Sequence, residues 1–142
     1  MRCYASGRAS SAGTATVPAG SLYAPAGQAL YLRWVSVWNT TTTATTVALR
    51  RLTTTGTQGT ALDELGEDPD HTVLGTAFNT HAAGPTITNG AYRRALLGSN
   101  GGVIWTFGGT GLRIPAGTGN GIGLLVPDGT GQVWDFDLEW DE

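Results

Sequence analysis

The residues with the clearest chemical potential lie near the end of the chain, where Asp135, Asp137, Glu139 and Asp141 recur at every second position. That spacing sets four carboxylates on one face of an extended strand. A row of carboxylates suits a hard cation such as calcium, which takes oxygen ligands only. The competing reading is a solvated outer face paired with arginines on a neighbouring strand. No glycine-punctuated calcium loop accompanies the run, so the second reading is preferred and no metal is assigned.

The other chemically able residues lack companions. His71 and His81 have no carboxylate at helical spacing and match no zinc motif. None of Ser6, Ser10, Ser11, Ser21, Ser36 and Ser99 sits in a Gly-x-Ser-x-Gly turn. Gly117, Gly119, Gly121 and Gly123 lack the strand-turn-helix setting of a dinucleotide site. Cys3 is the sole cysteine, which excludes an internal disulfide and any multi-cysteine zinc site. All 8 basic residues are arginine, so no lysine can serve as a base, a Schiff-base former or a P-loop cation. The sequence reads as a non-enzyme with no cofactor.

Charge and hydropathy narrow the partners. A net charge of -3 with only 13% charged residues gives no footprint for nucleic acid and no basic patch for a membrane. No apolar run approaches the ~18 residues of a membrane span, and the N-terminal stretch lacks the apolar core of a signal peptide. A soluble protein made in the cytosol is the expectation.

The elements that carry these residues read as strands. With 142 residues, one domain is expected. Its 22 glycines and many threonines favour short strands and tight turns over helices. In 132–142 (QVWDFDLEWDE), Trp134, Phe136, Leu138 and Trp140 form an apolar face opposite the acids, the pattern of a core strand. Leu30–Asn39 (LYLRWVSVWN) is the second strong strand. Leu30, Leu32, Trp34 and Trp38 share one face, and Tyr31, Val35 and Val37 lie on the other. Apolar residues on both faces call for cover on both sides, by the core and by a subunit or partner. Thr45–Leu52 pairs with it in antiparallel fashion. Residues 2–9 read as an edge strand or an extended arm, an arm that could run through the small, Pro-punctuated stretch to residue 27 (1–27), and 61–67 (ALDELGE) as one helical turn. Asn89-Gly90, Asn100-Gly101, Asn120-Gly121 and Asp128-Gly129 mark tight turns. About eight strands spaced near ten residues indicate an all-β, two-sheet β-sandwich of jelly-roll type with little or no helix.

Two stretches carry a family resemblance. LRWVSVWNTTTTATTVALRRLTTTGTQGT and GLRIPAGTGNGIGLLVPDGTGQVWDFDLEWDE are similar to strand pairs of bacteriophage head decoration (cement) proteins, across most of residues 28–142. The resemblance implies a trimeric jelly-roll-like fold on the outside of an icosahedral capsid. There it would bridge major capsid protein subunits, with the virion surface as its location. The faces of Leu30–Asn39 and the paired arginines then nominate Tyr31, Arg33, Trp34, Val35, Trp38, Arg93 and Arg94 as interface residues. The alternative is a phage tail-tip or carbohydrate-binding sandwich in which exposed tryptophans stack on sugars. Arg50-Arg51 and Arg93-Arg94 each place one guanidinium on either face of a strand. At least one of Asp135, Asp137 and Glu139 is therefore expected to pair with an arginine.

Overall fold

A computed structural model describes all 142 residues. The chain forms eleven strands and no helix: β1 (Arg2–Arg8), β2 (Gly20–Tyr23), β3 (Leu30–Asn39), β4 (Thr45–Leu52), β5 (Leu65–Gly66), β6 (Thr76–Phe78), β7 (Ile87–Leu97), β8 (Gly102–Thr106), β9 (Leu112–Ile114), β10 (Gly121–Leu125) and β11 (Trp134–Asp141). They build two antiparallel sheets. Sheet A runs β5-β1-β11-β3-β8, with β9 also on β3, and sheet B runs β6-β2-β10-β4-β7. The all-β two-sheet sandwich expected from the alternating strands is what the chain adopts.

The expected core strand lies at the centre of sheet A, between β1 and β3. Trp134, Phe136, Leu138 and Trp140 are buried, while the acids between them are half-exposed. Facing them from sheet B are Leu22, Val47, Leu49, Ile122 and Leu124. Phe136 fits because glycines leave room on both sides. A Cβ added to Gly20 of β2 would meet its ring at 2.5 Å, and one added to Gly7 of β1 at 2.9 Å. Trp105 is buried in the same core with Trp134 and Trp140.

Several local expectations need correction. Thr45–Leu52 does not pair with Leu30–Asn39: the turn between them crosses from one sheet to the other, and β4 lies between β10 and β7. Residues 1–27 do not extend as an arm: β1 pairs with β11 over its whole length, and β2 is fully buried between β10 and β6. Residues 61–67 make no helical turn. Their backbone is spent on sheet-like pairing instead, Leu62 N–H to the Ala77 carbonyl at 2.9 Å and Leu65–Gly66 against β1. Asn89-Gly90 is no turn but lies inside the long edge strand β7. Asn120-Gly121 leads straight into β10. Positive φ, the demand that makes such dipeptides turns, occurs at Asn100 (52°) and Gly129 (74°).

Strand β3 departs from strict alternation. Glu139 of β11 pairs with Trp34, but the next residue, Trp140, pairs with Leu32, leaving Arg33 as an extra residue. This β-bulge reverses which parity faces inward. Leu30 and Leu32 are buried before it, Val35 and Val37 after it, and Trp34 and Trp38 turn outward. The apolar residues on both faces of β3 therefore arise partly from a switch of inner face within one strand.

Candidate interaction face

The outer face of sheet A carries ordered rows of side chains running across the strands. One row is Arg8, Asp135, Trp38 and Gly102; the next is Ser6, Asp137, Ser36 and Ile104; a third is Leu65, Tyr4, Glu139, Trp34 and Thr106. The acids are held within these rows. Arg8 binds Asp135 through Nε at 2.7 Å, and Arg2 reaches Glu139 at 3.1 Å and Asp141 at 3.1 Å. Asp137 accepts hydrogen bonds from the hydroxyls of Ser6 and of Ser36, the latter at 2.9 Å. Arginine does pair with this carboxylate row. The partners are Arg2 and Arg8 of β1, however, not the doublets on β4 and β7, because β1 is the strand beside β11.

These exposed pairs contribute little stability, because water screens them. Their effect is to neutralise and order the face, and apolar surface stands between them. Trp38 is 44% exposed, Ile104 53% and Leu65 66%. The Trp38 indole lies flat over Gly102, where an added Cβ would meet the ring at 2.1 Å. A flat, fixed indole in a charge-ordered surround is suited to desolvating contact.

At the end of the face, Tyr31, Arg33, Gly109, Thr110 and Asp141 line an open cleft of about 450 Å³. The bulge places Arg33 there, donating to the Gly109 carbonyl at 2.6 Å and lying 3.5 Å from Asp141. Of the nominated residues, the structure thus gathers Tyr31, Arg33, Trp34 and Trp38 on one face. Val35 is not among them; it is wholly buried because the bulge turns it inward. Arg93 and Arg94 lie on β7 of the other sheet, Arg93 stacked 4.9 Å from the Phe107 ring and Arg94 paired with Asp128. Arg50 and Arg51 keep buried Nε atoms without a partner.

Two polar clusters escaped the sequence reading. Ser21 Oγ lies 2.7 Å from His81 Nε2, yet both residues are buried, so this pair ties the 53–86 loop to β2 and has no room for a substrate. Burial holds the His81 pKa below its ordinary value, partly opposed by the carbonyls of Thr55 and Ala83. The second cluster brings together Cys3, His71 and Glu142, whose ligand atoms lie within 4.8 Å of one another. Burial and the Glu142 carboxylate push the Cys3 thiol up to about 11. Burial alone would raise Glu142, but the N–H groups of Gly75, Trp140 and Leu74 and the His71 ring outweigh it and lower the pKa. No spacing rule joins residues so far apart in the chain; the pairing of β1 with β11 on one side and with β5 on the other does so.

No family model matches the chain, and no curated protein matches it either.

Proposed function

We propose that the protein is a structural virion component that binds the outside of an icosahedral phage capsid and stabilises it by bridging major capsid protein subunits. In this reading it acts as a homotrimer, with the outer face of sheet A at the contact between copies. The observation that carries the proposal is the character of that face: exposed Trp38, Ile104, Leu65 and Tyr4 set among self-neutralised Arg–Asp and Arg–Glu pairs. An apolar surface of this kind marks an interaction site. Its charges are already satisfied, so burial costs less than burial of free ions.

The connectivity supports the decoration-protein resemblance. β1 pairs with β11, β2 with β10, β3 with β8, and β4 with β7. This nested order supports reading the sandwich as a jelly roll, an antiparallel ribbon wound into two sheets. The fold alone does not select the function; the proposal rests on the interaction face and on the resemblance of residues 28–142.

Light scattering of the purified protein should give the mass of three chains, and a monomer at micromolar concentration overturns the trimer. Incubation with undecorated expanded capsids should give saturable retention and heads more resistant to heat, since a ligand of the assembled state stabilises it. Trp38→Ala, which removes an exposed side chain, should weaken the assembly about thirtyfold, the equivalent of a hot-spot loss of about 2 kcal/mol. The flat exposure of Trp38 over Gly102 favours a second reading, a sugar-stacking platform on a tail-tip module. Glycan-array binding abolished by Trp38→Ala, with no capsid retention, establishes that reading instead.

A further inference from the structure

We propose that Cys3, His71 and Glu142 form a binding site for one divalent transition-metal ion, with zinc as the fitting occupant. The three donors are of the types zinc takes, a thiolate sulfur, an imidazole nitrogen and a carboxylate oxygen, and they come from β1, the loop before β6 and the end of β11. His71 Nε2 lies 3.1 Å from Glu142 Oε2. The Glu142 side chain is only 1% exposed. Its Oε1 is fixed by the Gly75 N–H at 2.7 Å, the Leu74 N–H at 3.0 Å and the Trp140 indole N–H at 3.1 Å. Such outer contacts orient a ligating carboxylate, and here they turn Oε2 toward His71. Gly75 makes the approach possible, for an added Cβ would lie 3.3 Å from Oε1 and 2.8 Å from Leu30.

Cys3 supplies the second, independent sign. It is fully buried, and apart from the Glu142 carboxylate its sulfur has only a long 3.8 Å contact to the Met1 carbonyl. A buried polar atom directed at an imidazole and a carboxylate, and otherwise almost unpartnered, is what an ion would satisfy. Tetrahedral zinc with bonds of about 2.0–2.3 Å needs its donors about 3.3–3.6 Å apart. The cluster needs to contract by about an ångström at its widest separation to meet that demand. The His71 side chain is 25% exposed, which leaves an entry path and a fourth position for water. On binding, bonds form to Sγ, Nε2 and Oε2. The thiol proton leaves to solvent, and the imidazole binds with its proton on Nδ1. No electron changes hands. Calcium and magnesium, which prefer oxygen ligands throughout, do not fit a donor set with sulfur and nitrogen.

The test is titration of the full chain with Zn²⁺ and, as a spectroscopic probe, with Co²⁺. Binding of one ion per chain is expected, with a rise in Tm, and cobalt should give a sulfur-to-metal charge-transfer absorption in the near ultraviolet. Ca²⁺ and Mg²⁺ should give neither. Cys3→Ser should abolish the charge-transfer band, and His71→Gln, a change at a partly exposed loop residue, should weaken affinity at least tenfold. If Cys3→Ser does not fold, as judged by circular dichroism, His71→Gln decides alone. Absence of the cobalt band from the folded wild-type protein, or equal affinity in wild type and His71→Gln, overturns the site and leaves an ordinary imidazole–carboxylate pair beside a buried thiol.

Discussion

Asn39 heads a polar knot at the end of β3. It is buried, and its amide donates to the carbonyls of Thr43 at 2.7 Å and Gly98 at 3.1 Å, while Oδ1 accepts from the Thr41 N–H at 3.0 Å and the Thr41 hydroxyl at 2.9 Å. The side chain thereby joins the β3–β4 turn to the β7–β8 turn. Asn39→Ala should cost about 1–3 kcal/mol, because the hydrogen bonds that a buried amide makes to two turns are lost; chemical denaturation measures it, and no loss would show that water replaces the amide. The same Asn-Thr-Thr triplet has the form of a glycosylation acceptor, but its buried, fully bonded amide makes it a polar turn. His81 permits a prediction in pH. Its folded pKa lies below the ordinary value of about 6.5, so between the two values the unfolded chain binds more protons and stability rises with pH. Tm should therefore fall as pH drops below about 6.5, and His81→Gln should flatten that slope while lowering Tm throughout. An unchanged slope in the variant would assign the acid sensitivity elsewhere.

At the scale of elements, β3 and β4 coincide with the stretches that alternation marks, and β11 falls within 132–142. Their large apolar side chains recur with period two, and burial of those side chains dominates the energetics. The bulge at Arg33 was illegible, since nothing in LYLRWVSVWN distinguishes a two-faced strand from one that changes its inner face midway. Removing the extra residue makes a sharp test. Deletion of Arg33 leaves Leu30, Leu32, Val35 and Val37 all on one parity, so the fold should persist, missing only the links that this arginine makes to Gly109 and Asp141. Deletion of Ser36, in the regular part of the same strand, turns Val37 outward and Trp38 inward and should abolish cooperative unfolding. Equal Tm values for the two deletions would contradict the bulge. Gly20→Ala probes the packing between the sheets. The new methyl would meet the Phe136 ring, and overpacking of this kind costs about 1–3 kcal/mol, readable as a lower denaturation midpoint.

At the scale of the whole molecule, the sandwich follows from pattern, but which surfaces become sites follows from strand order. Trp34 and Trp38 were recognisable as candidates for exposure because both lie in a strand with apolar residues on both faces. Arg93 and Arg94, nominated beside them, went to the opposite sheet, since β7 pairs with β4 and not with β3. The Cys3–His71–Glu142 cluster was invisible for the same reason: β1 lies between β11 and β5, and the loop after β5 carries His71 to the other two. The short element β5 was also missed. Its two residues carry too few side chains for a period to show.

The central place of β11 also governs when this molecule can become itself. β11 is the last of the eleven strands to be synthesised, yet it is the one that joins β1 to β3. Until it arrives, β1 and β3 have no shared neighbour, and the inner side chains of sheet B face an incomplete partner. The pairings that complete sheet A join residues far apart in sequence, as in that of Arg2 with Asp141. Chains dominated by such distant pairings fold in milliseconds to seconds rather than microseconds.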